Sequence, residues 1–235
     1  MRRRLKIAAW LSAAGIAALA LAGFLLYRAG RHVPEFYREA LAADPENQRT
    51  ASHKIEQRAA ALASNAQKEG DWHEVFTAEQ INGWLAVKLK PWLELELGKS
   101  SAEDTLAQIA NPRVAITPGQ FLLAFKYRNG FVATVVSLTV DVRLDEPNVI
   151  ALRVRKARAG SLPLPLDPFM KEISAAAGQS GWRIQWSEVQ GDPEARISIP
   201  SFHTRKNQES RLEALQLNDG ELYVAGSTRR RGSAP

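Results

Sequence analysis

Four histidines, His32, His53, His73 and His203, are the side chains of this chain best suited to proton transfer or metal ligation near neutral pH. No two fall in the H-E-x-x-H spacing that puts a metal-binding pair on one helix face. His73-Glu74 offers an acid–base pair by adjacency, but it is expected to top a loop ahead of a helix. There is no glycine-rich phosphate loop, no G-x-S-x-G elbow and no EF-hand loop. The chain has no cysteine, which removes disulfides, thiol nucleophiles and cysteine metal sites. The expectation is a protein that is not an enzyme, with no metal and no cofactor.

Tryptophans are the next candidates. Trp84 and Trp92 fall on one helical stripe, and Trp182 and Trp186 lie four apart on one face of an expected strand. Large aromatics at such spacing usually fill a core, and the alternative is the lining of a cavity for an apolar ligand. Arg153, Arg155, Lys156 and Arg158 form a basic cluster. It is read as a solvated strand end, or as a contact for anionic headgroups if that end faces a membrane.

These groups need elements to position them. Pro34 to Leu41 has helical spacing, and Asp44-Pro45 breaks it. Glu46 to Lys68 is rich in strong helix formers, with an apolar stripe made mostly of alanine. That thin stripe suits a solvated spacer, or a helix lying lightly on a partner surface. Thr77 and Gln80 have the spacing of a capping box. Ile81, Trp84, Leu85 and Leu89 follow it as one apolar face. Residues 100–108 read as a polar loop.

From Pro112 the period changes to two. Strands are expected over 113–116, 120–128, 131–144 and 149–160, with Asn129-Gly130 as a type I′ hairpin turn. Phe121, Leu123 and Phe125 share a face, as do Val136 and Val140 on the next strand. A short helix is expected over 167–178, then strands over 182–189 and 195–200. A closing hairpin turns at Asn218-Asp219-Gly220, and residues 229–235 read as a disordered tail. The fold class is α+β, an antiparallel meander packed on one or two helices.

The first residues say where this happens. Ile7 to Tyr27 is an uninterrupted run of twenty-one uncharged, mostly apolar residues. As a helix it covers roughly 30 Å, the hydrocarbon thickness of a bilayer. Ile7, Trp10, Leu19, Phe24 and Tyr27 are its anchor residues, with Trp10 and Tyr27 near the two interfaces. Ala20-Leu21-Ala22 imitates a cleavage site, but the run is longer than a signal core and favours an uncleaved anchor. Four basic residues precede it, giving a lean toward a cytoplasmic N-terminus and an extracytoplasmic body.

Charge divides along the same boundary. The chain carries a formal charge of +6, yet residues 1–31 hold six Lys/Arg and no acid, leaving 25 basic and 25 acidic groups beyond. A neutral body has no basic stripe for nucleic acid. The expected organisation is an anchor over 1–31, a helical spacer over 32–70, an α+β domain over 71–228 and the tail.

Two stretches carry a resemblance: Thr77, Glu79, Ile81 and Asn82 at a helix start, and Asp219-Gly220-Glu221-Leu222 in the closing hairpin. With the element order over most of residues 72–228, the chain resembles YpmS-like membrane-anchored bacterial proteins and, more loosely, LmeA-like exported lipid-binding proteins. The resemblance implies a long curved sheet wrapping a helix, similar to tubular lipid-binding domains, and brings no catalytic residues. The leading expectation is an apolar or lipid ligand held between the sheet and the Trp84 helix, by Ile81, Trp84, Leu85, Phe121, Leu123, Phe125, Val136 and Val140. The membrane bilayer is the expected partner. The alternative is an envelope assembly protein with a solid core, whose helix over 46–69 docks a protein partner; a hydrolase with scattered residues is a third.

Overall fold

The structure, a computed structural model, describes residues 24–25, 28–130, 132–166, 170, 174, 183–199 and 208–230. Two helices open the folded part, α1 (Glu35–Leu41) and α2 (Pro45–Asn65). The Asp44 carboxylate accepts from the Glu46 and Asn47 N–H groups, and Pro45 sits where no N–H is needed, so α2 starts cleanly. Strand β1 (Gly70–Thr77) leads into α3 (Ala78–Val87), α4 (Leu89–Leu97) and α5 (Lys99–Gln108). The expected capping box is present: Gln80 N–H donates to Thr77 Oγ1, and Thr77 N–H donates to Gln80 Oε1.

Alternating residues then form β2 (Ile109–Thr117), β3 (Gln120–Asn129), β4 (Val132–Glu146), β5 (Val149–Ala159) and the two-residue β6 (Leu162–Pro163). Further strands are β7 (Arg183–Val189), β8 (Asp192–Ser198), β9 (Gln208–Asn218) and β10 (Glu221–Arg230). They make a large sheet of order β2-β3-β4-β5-β8-β7, with β6 on β5, and a small sheet of order β1-β10-β9. Every pairing is antiparallel, and no closed barrel forms among the described residues. Strand β9 crosses the turns of the large sheet. Gly119 N–H donates to the Leu217 carbonyl, and Asn148 N–H to that of Leu212.

Register assigns the faces of the large sheet. Phe121 lies opposite Val140 and Ile116, Leu123 opposite Leu138 and Val114, and Phe125 opposite Val136, so one face is apolar throughout. On the other face, Ala124 and Val135 are buried under Tyr37 of α1, with Val33, Phe36 and Leu41 around them. Farther along, that second face is charged. Arg143 and Arg196 reach Asp145 and Glu194, while Arg153 and Arg155 reach Asp192. There the arginines cover the carboxylates, with Glu194 only 1% exposed beneath them, and ion pairs take the place of a second apolar layer.

Several expectations need correction. The segment over 32–70 is no spacer. Tyr37 is fully buried in the core, and Ala51 and Ser52 of α2 pack against Gly83 of α3. Alanine gives a narrow stripe, but a glycine opposite it lets the two helix backbones approach. His73 and Glu74, expected to top a loop, lie within β1, and residues 100–108 are helical because a polar helix on a surface needs little apolar face. Asn129 is the last paired residue of β3, not a central turn residue; Gly130 alone of that pair has positive φ. The tail begins later, since Arg229 and Arg230 belong to β10 and pair with Asp71 and Glu69.

Among the described residues no helix is long and apolar enough to cross a membrane. Ile7, Trp10, Leu19 and Tyr27 of the expected anchor lie outside them, and Phe24, which is described, is exposed. Of the helix expected over 167–178, Met170 and Ser174 alone are described, both helical.

Candidate functional site

Glycine, tryptophan and alanine build an unexpected space between α2 and the small sheet. Trp72 on β1 lies directly opposite Gly226 on β10, beside a register shift. A Cβ at Gly226 would collide with the Trp72 ring and the Arg211 carbonyl, so only glycine lets the indole lie flat there. The Trp72 Nε1–H donates to Thr228 Oγ1 at 3.2 Å, and Thr228 Oγ1 donates to the Ala66 carbonyl at 2.8 Å. That relay fixes the end of α2 over the sheet. Near its middle, Arg58 is held by the Glu74 carboxylate at 2.6 Å and by the Val75 carbonyl at 2.9 Å.

Between those two clamps α2 presents Ala59, Leu62, Ala63 and Ala66, the i, i+3, i+4, i+7 face of a helix. Alanine side chains are too short to reach the sheet. They leave a cavity of about 450 Å³, floored by Trp72, Phe76, Leu212 and Val224 and bounded by Asn148, Ile199, Ser210 and Gln67. Its volume lies in the range of small-molecule sites. Polar groups at its wall are few. Asn148 Oδ1 accepts from Leu212 N–H at 2.7 Å. Ser210 is 1% exposed, and its hydroxyl has no hydrogen-bond partner among the described residues. A buried, unanswered hydroxyl facing apolar walls is costly to fold and inexpensive to satisfy with a ligand atom.

The residues expected to form a groove are placed differently. Phe121, Leu123, Phe125, Val136 and Val140 do share the apolar face of the large sheet, Val136 buried and the others half-buried. Ile81, Trp84 and Leu85 are half-buried on α3, which Asn82 ties to the edge of β2. The Trp84 ring is committed to Trp92, 6.1 Å away and tilted by 59°. None of the eight lines the cavity under α2. A signal for that cavity exists: Trp72, Glu74 and Phe76 alternate as one strand face, and Ala59, Ala63 and Ala66 recur at helical spacing.

The histidines are dispersed. His73 stacks on Tyr223 with centroids 6.3 Å apart, and His53 lies 3.8 Å from Glu56 on an exposed helix. His203 and Trp182 lie outside the described residues. Trp186 donates through Nε1 to Ser174 Oγ at 2.6 Å. Among the described residues no group of three His, Asp or Glu could hold a metal ion.

No family model, curated protein or solved structure matches this chain.

Proposed function

We propose that this protein binds an apolar, lipid-like ligand in the cavity between α2 and the small sheet, without catalysing a reaction on it. The observation that carries the reading is the pairing of apolar walls with one buried, unpartnered hydroxyl at Ser210. Such a site suits a molecule that is mostly hydrocarbon with a single hydrogen-bonding group. The apolar run over 7–27 supports the second half of the reading, a tether that keeps the site beside a membrane and its lipids. The resemblance to membrane-anchored and lipid-binding proteins points the same way.

The test is binding of a pyrene-labelled fatty acid to the full chain in neutral nanodiscs, compared with Ala63→Phe, which fills the cavity. Loss of roughly ten-fold or more in affinity with an unchanged melting temperature is expected, since a filled cavity excludes the probe and keeps the fold. Equal binding by both proteins removes the cavity from the reading. A second reading, a docking partner in the envelope, has its own observation. Trp92, Leu95 and Leu97 on α4 are 46%, 81% and 48% exposed, an apolar surface that α2 no longer supplies.

A further inference from the structure

The chain leaves its apolar run at one end of the large sheet and is bound there. The Ser161 N–H and Oγ both donate to the Ala29 carbonyl, at 2.9 and 3.2 Å, and Thr134 Oγ1 donates to the Gly30 carbonyl at 2.7 Å. Gly160, at φ +63°, touches the same backbone so closely that a Cβ would overlap Ala29 and Gly30. The start of β4 and the turn that follows β5 are therefore fixed a few residues past Phe24 and Leu25, the described residues of the run, which are 57% and 54% exposed.

This end is basic. One cleft, about 690 Å³, is lined by Arg28, Arg31, His32 and Arg38 with Leu25. A second, about 240 Å³, shares Arg31 and Val33 and adds Lys126 and Arg128. Lys156 and Arg158 close β5 on the same side, both exposed. Across residues 28–38, 126–135 and 156–163 there are seven Lys/Arg and one acid, Glu35. Farther up the same strand the pattern reverses: Arg153 and Arg155 each meet Asp192 at 2.7 Å. The expected basic cluster thus splits, two arginines neutralised within the sheet and two cations left facing the end where the chain enters.

We propose that this end is a binding surface for the anionic headgroups of phospholipids, and that it holds the domain upright on the bilayer. The proposal rests on the tether and not on the cavity. An apolar run that closes at Tyr27, with Phe24 and Leu25 exposed near its end, followed at once by a cluster of cations, reproduces the order of layers in a membrane leaflet, acyl chains and then phosphates. The docked segment gives the cluster a set orientation, which a flexible basic linker would lack.

The experiment reconstitutes the full chain in nanodiscs of phosphatidylcholine containing one-third phosphatidylglycerol, and counts retained lipids by native mass spectrometry. Retention of phosphatidylglycerol over phosphatidylcholine by roughly ten-fold or more is expected, with loss of that preference in K126E/R128E/R158E and at high salt. The milder K126Q/R128Q, on exposed strand positions that keep the fold, should lower it part-way. Equal retention of both lipids by the wild type, or an unchanged preference in the triple variant, overturns the proposal. So does competition by millimolar inorganic phosphate, which marks a small-anion site. A chain recovered outside the discs overturns the tether and this proposal together, leaving the cavity standing.

Discussion

The side chain of Asn82 pairs with the backbone of Val114 as a neighbouring strand would. Nδ2 donates to the Val114 carbonyl at 2.8 Å, and Oδ1 accepts from the Val114 N–H at 2.7 Å. Strand β2 is an edge of the large sheet, and this one amide satisfies both orphan groups at a residue that is 4% exposed. It also fixes where α3 meets the sheet. Asn82→Leu should cost about 2 kcal/mol, because both backbone groups of the buried Val114 lose their partners. Urea denaturation measures it, and a midpoint equal to wild type would show that the edge finds other partners.

Gly83→Ala offers a test of sign. On an exposed helix the change stabilises by about 1 kcal/mol through helix propensity. Here a Cβ would stand 2.6 Å from the Gln48 carbonyl and 2.7 Å from Ala51 Cβ, forcing α2 off α3. Destabilisation by about 1–3 kcal/mol is expected, the usual range for overpacking. A rise in stability would mean that α2 stands free.

Ser210→Ala should do two opposite things. Removing a buried hydroxyl that has no partner leaves the empty protein as stable as before or more so, by roughly 1 kcal/mol. The same change should weaken a ligand that hydrogen-bonds there. Thermal melts with and without the fatty-acid probe separate the two, and a large loss of stability in the empty protein would assign the hydroxyl an internal role.

Tyr37 should make stability sensitive to alkali. Burial raises its phenol pKa, and the Arg113 guanidinium, which opposes this, has the smaller effect. A folded value above the unfolded one, about 10, means this contribution is complete below pH 10 and is lost as the pH rises through the folded value. The unfolded chain gives up its proton first. Above pH 10 the urea midpoint of the wild type should therefore fall more steeply than that of Tyr37→Phe. That variant also gives up the 2.9 Å bond from the hydroxyl to the Asn111 carbonyl, so its baseline lies lower. Parallel pH profiles would show that the phenol is not the sensor.

The meander was legible because its signal is local. Phe121, Leu123 and Phe125 alternate within one strand, and a period of two needs no knowledge of the partner strand. The Thr77–Gln80 box is likewise complete within four residues. Strand β1 was not legible, since its eight residues stop at a helix cap and its partner β10 lies about 150 residues away. The polar residues 99–108 carry too little apolar periodicity to declare a helix that only packing retains.

Sequence by itself determined an apolar run long enough to span a bilayer, a neutral body beyond Arg31, an antiparallel α+β fold and the absence of thiol chemistry. These follow from composition and short-range period, which act within a few residues. Tertiary structure alone decided that the alanine face of α2 roofs a cavity, that Ser210 looks into it unpartnered, and that seven cations from three distant segments share one end. Each depends on residues brought together across a hundred or more positions, where a short side chain leaves space only if its neighbour is held at a fixed distance.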